Sequence, residues 1–404
     1  MKNNNLTLAF SAIFALSTLT YADDSSEIAS LKQKVKDLQE VTQTLIDETS
    51  DLKTGFNYTT VDVDKSHSGL GAAASKVYFS KSPLSIGGYG EMYLANKDAS
   101  GAYSAETQVK RLITYFGYKF NDNIILNTEV EYEGGGVTAD GAGDEVLIEF
   151  MYIDFLQNKN FNLRVGNMLM PMGLTNQQHE PVLFTTVQRP QTAYYIIPST
   201  WGESGIMAYG EIVEGVEYKL AEVTALQTQD SGKKWVRKGR GGSFKIKNPK
   251  AATLARIDYT GTNGLLVGAS IYSDDALFMS DVHLDYKYNG ARVYGTYAQT
   301  TRSGATGTQV KEASGGYLNA SFDILSLTSI EKRLPLFIQY ESVNPQKTFA
   351  NGGGLDSVDT TTIGLNYFPH EQVVLKFDYA MANNDYANSG IDSNTVSLSF
   401  GFIF

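Results

Sequence analysis

The side chains with most chemical capacity fall in two stretches. Between residues 164 and 203, Arg164, Gln177, Gln178, His179, Glu180, Gln188 and Arg189 offer guanidinium, amide, imidazole and carboxylate groups along a chain broken by Pro171, Pro181, Pro190 and Pro198. Such a mixture can hydrogen-bond a hydrated solute and set the local charge, but it holds no nucleophile beside a base. The second stretch is Lys233-Lys234-Trp235-Val236-Arg237-Lys238-Gly239-Arg240, followed by Lys245, Lys247 and Lys250. It carries eight cations and no acid in a chain of net charge −11. A local positive field attracts anions even where distant charges of the same molecule are screened.

Catalysis has little else to draw on. His67, His179, His283 and His370 are scattered without metal-ligand spacing, and no nucleophile elbow, phosphate loop or HExxH is present. Glu129, Glu131 and Glu133 have period two and so share one face of a strand, which reads as a hydrated wall rather than an acid–base pair. No catalytic residue, metal site or cofactor is expected. The absence of cysteine excludes disulfides and thiolate metal sites, and the acidic balance argues against a nucleic-acid partner.

The elements that must position these groups are strands. From Leu84 onward the chain divides into sixteen runs of alternating character. In the tenth, Val282, Leu284, Tyr286 and Tyr288 alternate with Asp281, His283, Asp285 and Lys287; in the fifteenth, Leu375, Phe377 and Tyr379 alternate with Lys376 and Asp378. Links after even-numbered runs are short, as at Asn289-Gly290 and Pro369-His370, with Leu325 to Arg333 the exception; links after odd-numbered runs are longer, as at 96–105, 134–144, 170–203 and 229–250. No run beyond Leu19 approaches the roughly 20 apolar residues of a membrane helix. The pattern predicts an all-β fold, a sixteen-stranded antiparallel transmembrane barrel over 84–404, in which short turns face one side and long loops the other. Predicted lumen charges are mixed: Arg164, Arg256, Lys287 and Lys376 against Glu91, Glu129, Glu131, Glu149, Asp258, Asp285, Glu341 and Asp378.

Ahead of the barrel, Lys2, the apolar stretch Leu6 to Leu19 and the small residue Ala22 predict a signal peptide over 1–22. Residues 23–54 place Ile28, Val35, Thr42 and Thr49 at a and Leu31, Leu38, Leu45 and Leu52 at d, predicting a periplasmic α-helical coiled coil; Val41 at g and Ile46 at e widen the stripe toward a parallel homotrimer. Residues 55–83 lack a period and read as a linker, with a short plug or strand around Val77 to Phe79.

Two resemblances extend this reading. Val396, Leu398, Phe400, Phe402 and Phe404, alternating with Thr395, Ser397, Ser399 and Gly401, resemble the C-terminal signal by which bacterial outer-membrane barrels meet the barrel-assembly machinery. Arg164-Val165-Gly166-Asn167-Met168-Leu169-Met170-Pro171-Met172-Gly173-Leu174 resembles the R-x-G-x(4)-P-x-G-L-like stretch of the phosphate-selective porin O and P family. That resemblance implies a sixteen-stranded outer-membrane porin passing small hydrophilic solutes, whose third loop folds inward to narrow the pore. The residues of 177–189 named above then become constriction candidates, and an extracellular lid or trimer contact is the other use of such a loop. Lys233, Lys234, Arg237, Lys238 and Arg240 would attract anions or bind lipopolysaccharide phosphates. The alternatives are an organic-acid channel, resembling coiled-coil-bearing dicarboxylate channels, and an adhesin or envelope tether.

Overall fold

The computed structural model describes residues 25–55, 61–133, 146–228, 231–241, 245–384 and 390–404, so the expected signal peptide lies outside the described residues, as does the 134–144 link. The chain forms two compact units, Met1–Asn57 and Tyr58–Phe404. In the first, helix α1 spans Ser25–Gly55. Leu31, Val35, Leu38, Val41, Leu45 and Ile46 along it are each more than half exposed, an apolar stripe left without cover within one chain.

The second unit is a closed barrel. Its strands are β1 (Leu84–Ala99), β2 (Ala102–Asn121), β3 (Ile124–Glu133), β4 (Val146–Asn158), β5 (Phe161–Leu169), β6 (Gly202–Val213), β7 (Val216–Thr224), β8 (Ala251–Tyr259), β9 (Leu265–Ser273), β10 (Leu277–Tyr288), β11 (Ala291–Arg302), β12 (Val310–Asp323), β13 (Pro335–Phe349), β14 (Val358–His370), β15 (Val373–Asn384) and β16 (Ser393–Ile403). Each pairs antiparallel with its sequence neighbours, and β1 closes on β16 from Tyr89↔Ile403 to Asp98↔Asn394. Closure matters because it removes the unpaired edges that lipid cannot hydrate.

The two faces separate as the alternation predicts. Val282, Tyr286, Leu375, Phe377, Val396, Leu398 and Phe400 are exposed to the outside, whereas Asp281, His283, Lys376, Asp378, Ser397 and Ser399 are buried toward the interior. An apolar outer belt with polar inward residues is what a bilayer demands of a barrel, and the protein is an outer-membrane protein. At the closing seam Phe402 and Phe404 stack at 6.2 Å over the outer face. They cover two glycines: a Cβ on Gly90 would stand 2.6 Å from Phe402 Cζ, and one on Gly88 2.8 Å from Phe404 Cζ. The rings supply the apolar cover those glycines lack.

Local turn chemistry shifted some boundaries. The expected loop over 96–105 is instead a continuation of the β1–β2 hairpin, closed by Ser100 and Gly101 at φ 54° and 89°. Two left-handed residues match the twist of paired strands, so no longer loop is needed. Asn289 and Gly290 do the same at φ 46° and 80° between β10 and β11. The turn expected at Pro369-His370 falls after His370, where β14 ends. The seventh strand, expected over 215–228, leaves the wall at Thr224. The link after β12 is long as read: a 3₁₀ turn over Ile324–Leu327, with Asp323 Oδ1 accepting from the N–H groups of Leu325 (3.1 Å) and Leu334 (2.8 Å).

The segment ahead of β1, expected as a linker with a short plug or strand around Val77 to Phe79, carries a helix there and no strand. Residues Ala72–Phe79 form helix α2, whose Ala72 to Val77 are buried. A Cβ on Gly117 would stand 2.4 Å from Val77 Cβ, so only glycine leaves room for the helix there, and Asn127 Nδ2 donates to Ala74 O at 2.8 Å; the helix lies against the inner wall of β1–β3.

Candidate functional site

The link between β5 and β6 folds into the lumen as the third loop, and most of its residues are buried. Its two ends are knotted by one side chain. Asn176 Nδ2 donates to Met170 O (2.7 Å) and Trp201 O (3.0 Å), while its Oδ1 accepts from Trp201 N–H at 2.9 Å. The turn before it passes through Gly173, at φ 61°, where a side chain would be strained.

From there the wall holds the loop by its backbone. Gly173 N–H donates to Asp281 Oδ2 (3.1 Å), and Gly173 O accepts from Arg256 (2.6 Å). Behind this pair Asp258 takes both Arg256 (2.7 Å) and Lys219 (3.3 Å), and His283 bridges Asp281 (2.6 Å) to Asp258 (2.9 Å). Further along, Arg292 donates to Leu183 O (2.7 Å), Lys376 to Phe184 O (2.8 Å) and Thr186 O (3.0 Å). Asp378 accepts from Val187 N–H (2.6 Å), and Glu341 from Gln191 (2.9 Å) and Thr192 (2.7 Å) N–H groups. Backbone groups taken into a lumen must be paired, and ionised partners give the stronger bonds. Most lumen charges on β8, β10, β11, β13 and β15 are thereby committed to the loop.

The side facing β1–β4 is built differently. Two of the bulges in this pairing insert a charged residue. Glu91 opposes Arg111 and Met92 opposes Val109, leaving Lys110 as the extra residue of β2; Glu129 opposes Phe150 and Val130 opposes Ile148, leaving Glu149 as that of β4. A bulge re-aims a side chain. Lys110 turns inward to donate to Gln188 Oε1, and Glu149 turns in beside Glu129. Arg111 lies 3.9 Å from Glu91 and 3.6 Å from Glu131, ion pairs longer than hydrogen bonds. Arg189 donates to Tyr89 Oη (3.3 Å) and His179 O (2.9 Å).

The sequence candidates thus separate into two groups. Gln178, Gln188 and Arg189 are half-buried and line the interior together with Lys110. Arg164, Gln177, His179 and Glu180 face inward but are fully buried. Arg164 forms a two-pronged pair with Asp154 (2.8 and 2.8 Å), and Asp154 also accepts from Tyr78 of α2 at 2.5 Å and Tyr209 at 2.9 Å. Glu180 accepts from Ala73 (3.2 Å) and Ala74 (3.0 Å) N–H at the start of α2, and Gln177 O from Gly71 N–H at 2.9 Å. These residues join the third loop to the segment preceding the barrel. Within that segment His67 stacks on Tyr78 at 3.6 Å and meets Tyr209 Oη at 3.0 Å; burial pushes its pKa down to about 4.

The basic stretch lies above the C-terminal half of the third loop. Trp235 is buried, donating Nε1–H to Pro345 O at 2.8 Å. Arg240 donates to Ser199 O (3.0 Å) and Thr200 O (2.7 Å), and Arg237 donates to Ser199 O (3.1 Å) while stacking 4.2 Å over Tyr194. Lys233, Lys234 and Lys238 are exposed. At the end of the barrel bearing the short turns, a cavity of about 520 Å³ is lined in part by Asp64, Leu183, Lys287, Arg292, Arg333 and Glu371.

Sequence reasoning missed Lys110, Arg111, Asn176 and Arg292. Lys110 was out of reach, because strict alternation from Arg111 directs it to lipid. Arg111 and Arg292 do sit on the inward phase of their strands and were findable from it.

A closed sixteen-stranded barrel with a loop clamped across its lumen is the architecture of outer-membrane porins. It is similar in structure to the outer-membrane channel DcaP of Acinetobacter baumannii (TM-score 0.56, 14% identity, covering 80% of this chain and 97% of that one). It is likewise similar to an anion-selective porin from Comamonas acidovorans (TM-score 0.54, 14% identity, 80% and 99%) and to OmpF of Salmonella typhi (TM-score 0.53, 13% identity, 79% and 98%). No family model matches the chain. It belongs to one family with an uncharacterized protein of Aquifex aeolicus (strain VF5), 32% identical over 347 residues, covering 78% of this chain and 79% of that protein.

Proposed function

We propose that the protein is a porin, a water-filled channel for passive diffusion of small hydrophilic solutes, with a preference for anions and no catalytic activity. The observation that carries this reading is the division of charge in the lumen. Glu91, Glu129, Glu131 and Glu149 are all buried, whereas Lys110 and Arg189 remain partly exposed beside Gln178 and Gln188. Selectivity follows the charges a solute meets at the narrowest section, not the net charge. Ohmic conductance in planar bilayers, with a reversal potential of anion-selective sign in a salt gradient, is the expected result. Absence of conductance from assembled protein would favour an adhesin or envelope tether.

Finer readings go with it. Lys287 beside the cavity near the short turns supports an organic-acid preference, which carboxylate block of the current would test. The likeness to the porin O and P family rests on the short stretch from Arg164 to Leu174, and the mixed lumen charges do not carry phosphate specificity over with it. The exposed stripe of α1 supports a parallel trimeric coiled coil. Charges buried unpaired in such a seam are costly, so Leu38→Asp with Leu45→Asp should lower the temperature at which oligomers dissociate and leave single-channel conductance near wild type. Exposed Lys233, Lys234 and Lys238 also suit contact with lipopolysaccharide phosphates.

A further inference from the structure

We propose that Glu129, Glu149 and His179 form a binding site for a divalent transition-metal ion that fastens the third loop to the wall. One ligand atom from each lies within 4.8 Å of the others. His179 Nδ1 is 2.7 Å from Asn176 O. A carbonyl only accepts, so Nδ1 carries a ring proton, and in the neutral ring the Nε2 lone pair is directed at the carboxylates, 3.4 Å from Glu129 Oε1 and 3.7 Å from Glu149 Oε2. Three lone-pair donors converging on one point repel each other unless a metal ion or a proton lies between them. A backbone carbonyl orienting the far ring nitrogen is also the usual support of a metal-bound histidine.

Among the described residues no lysine or arginine donates a hydrogen bond to either carboxylate. Glu129 Oε2 and Glu149 Oε2 have no hydrogen-bond partner among the described residues, and their side chains are 0% and 6% exposed. Arg111 is turned to Glu91 and Glu131, and Arg189 to Tyr89 and the His179 carbonyl. The β4 bulge carries Glu149 out of the lipid phase and sets it beside Glu129. Spacing and donor set identify the class of ion. Ligands about 2.0–2.1 Å from a tetrahedral zinc stand about 3.4 Å apart, close to the two distances observed. One imidazole with two carboxylates balances a divalent charge and suits zinc-like ions better than magnesium, which favours oxygen alone. A bound ion would neutralise two acids in the lumen and tie the loop to β3 and β4.

The test needs no conductance, so its outcome is independent of the channel reading. Full-length protein in detergent, stripped with chelator, is titrated with Zn²⁺, and with Co²⁺ as a spectroscopic probe. The expected result is one ion per chain, a Co²⁺ absorption band of low-coordinate intensity, and a Zn²⁺-dependent rise in the temperature of heat-modifiable gel migration. E129Q and E149Q keep side-chain volume and should each weaken binding at least tenfold while the barrel still assembles; H179Q should do the same and lose the Co²⁺ band. Binding of equal strength in wild type and the E129Q/E149Q double variant would overturn the site as adventitious. Folded wild type that binds no Zn²⁺ would overturn it too, leaving the carboxylates to hold protons instead.

Discussion

The two sides of the lumen use charge in opposite ways. On β8, β10, β13 and β15, Arg256, Asp281, Glu341, Lys376 and Asp378 hold the third-loop backbone through bonds of 2.6–3.1 Å. On β1–β4, Glu129 reaches His179 at 3.4 Å, Glu131 and Glu91 reach Arg111 only at 3.6 and 3.9 Å, and these three with Glu149 retain oxygens without hydrogen-bond partners. The first group is scaffolding, because removing any member orphans a buried backbone group. The second is chemically unspent. An inward charge predicted from alternation therefore does not reveal whether a solute will meet it.

The comparison is broken most severely by attacking the clamped side. Glu341→Ala with Asp378→Ala leaves three loop N–H groups without their acceptors. Each orphaned group costs about 1–3 kcal/mol, so the loop should leave the lumen, raising single-channel conductance and lowering the temperature of heat-modifiable migration. Unchanged conductance would mean that the loop does not narrow the path.

Acid should next release the segment joined to the loop through Gln177 and Glu180. His67 has its pKa depressed to about 4 by burial, against 6.5 for the free side chain. Between those values the undocked state binds more protons, so docking is strongest above pH 6.5 and weakens as pH falls toward 4. Hydrogen exchange at the amides of α2, corrected for intrinsic rate, should speed up across that window in wild type and lose the dependence in His67→Gln. An unaltered profile in the variant would assign the effect elsewhere.

On the unspent side, Glu129→Gln with Glu149→Gln should cost no stability in chelated protein, since it relieves repulsion between acids, and should leave the reversal potential near wild type, because both side chains are buried away from the solute. A large loss of thermal stability in chelated protein would show these carboxylates to be scaffolding after all. A modest effect belongs to the mouth. Replacing Lys233, Lys234 and Lys238 by Gln, while keeping Arg237 and Arg240 that stitch the basic stretch to Ser199, should shift the reversal potential modestly toward cations at low salt. The shift should vanish near 1 M salt, where the Debye length is about 3 Å.

Much of this molecule is legible in its sequence, because a period of two is a local property and the bilayer enforces it. Alternation along β10, β15 and β16 assigned their two faces, and Asn289-Gly290 marked a turn through backbone conformations only a few residues tolerate. Composition likewise located the third loop and the basic stretch. Only the tertiary structure decided what those residues touch. The bulges at Lys110 and Glu149 each add one residue to a strand, reversing the phase on one side in a way that pairing partners reveal and side-chain character does not. That Asn176 knots the loop, that Arg164 serves α2, and that His179 meets Glu129 and Glu149 across 50 and 30 positions of chain depend on which strands the closed barrel sets opposite the loop. Hydrogen bonding acts over about 3 Å in space and carries no trace along the chain.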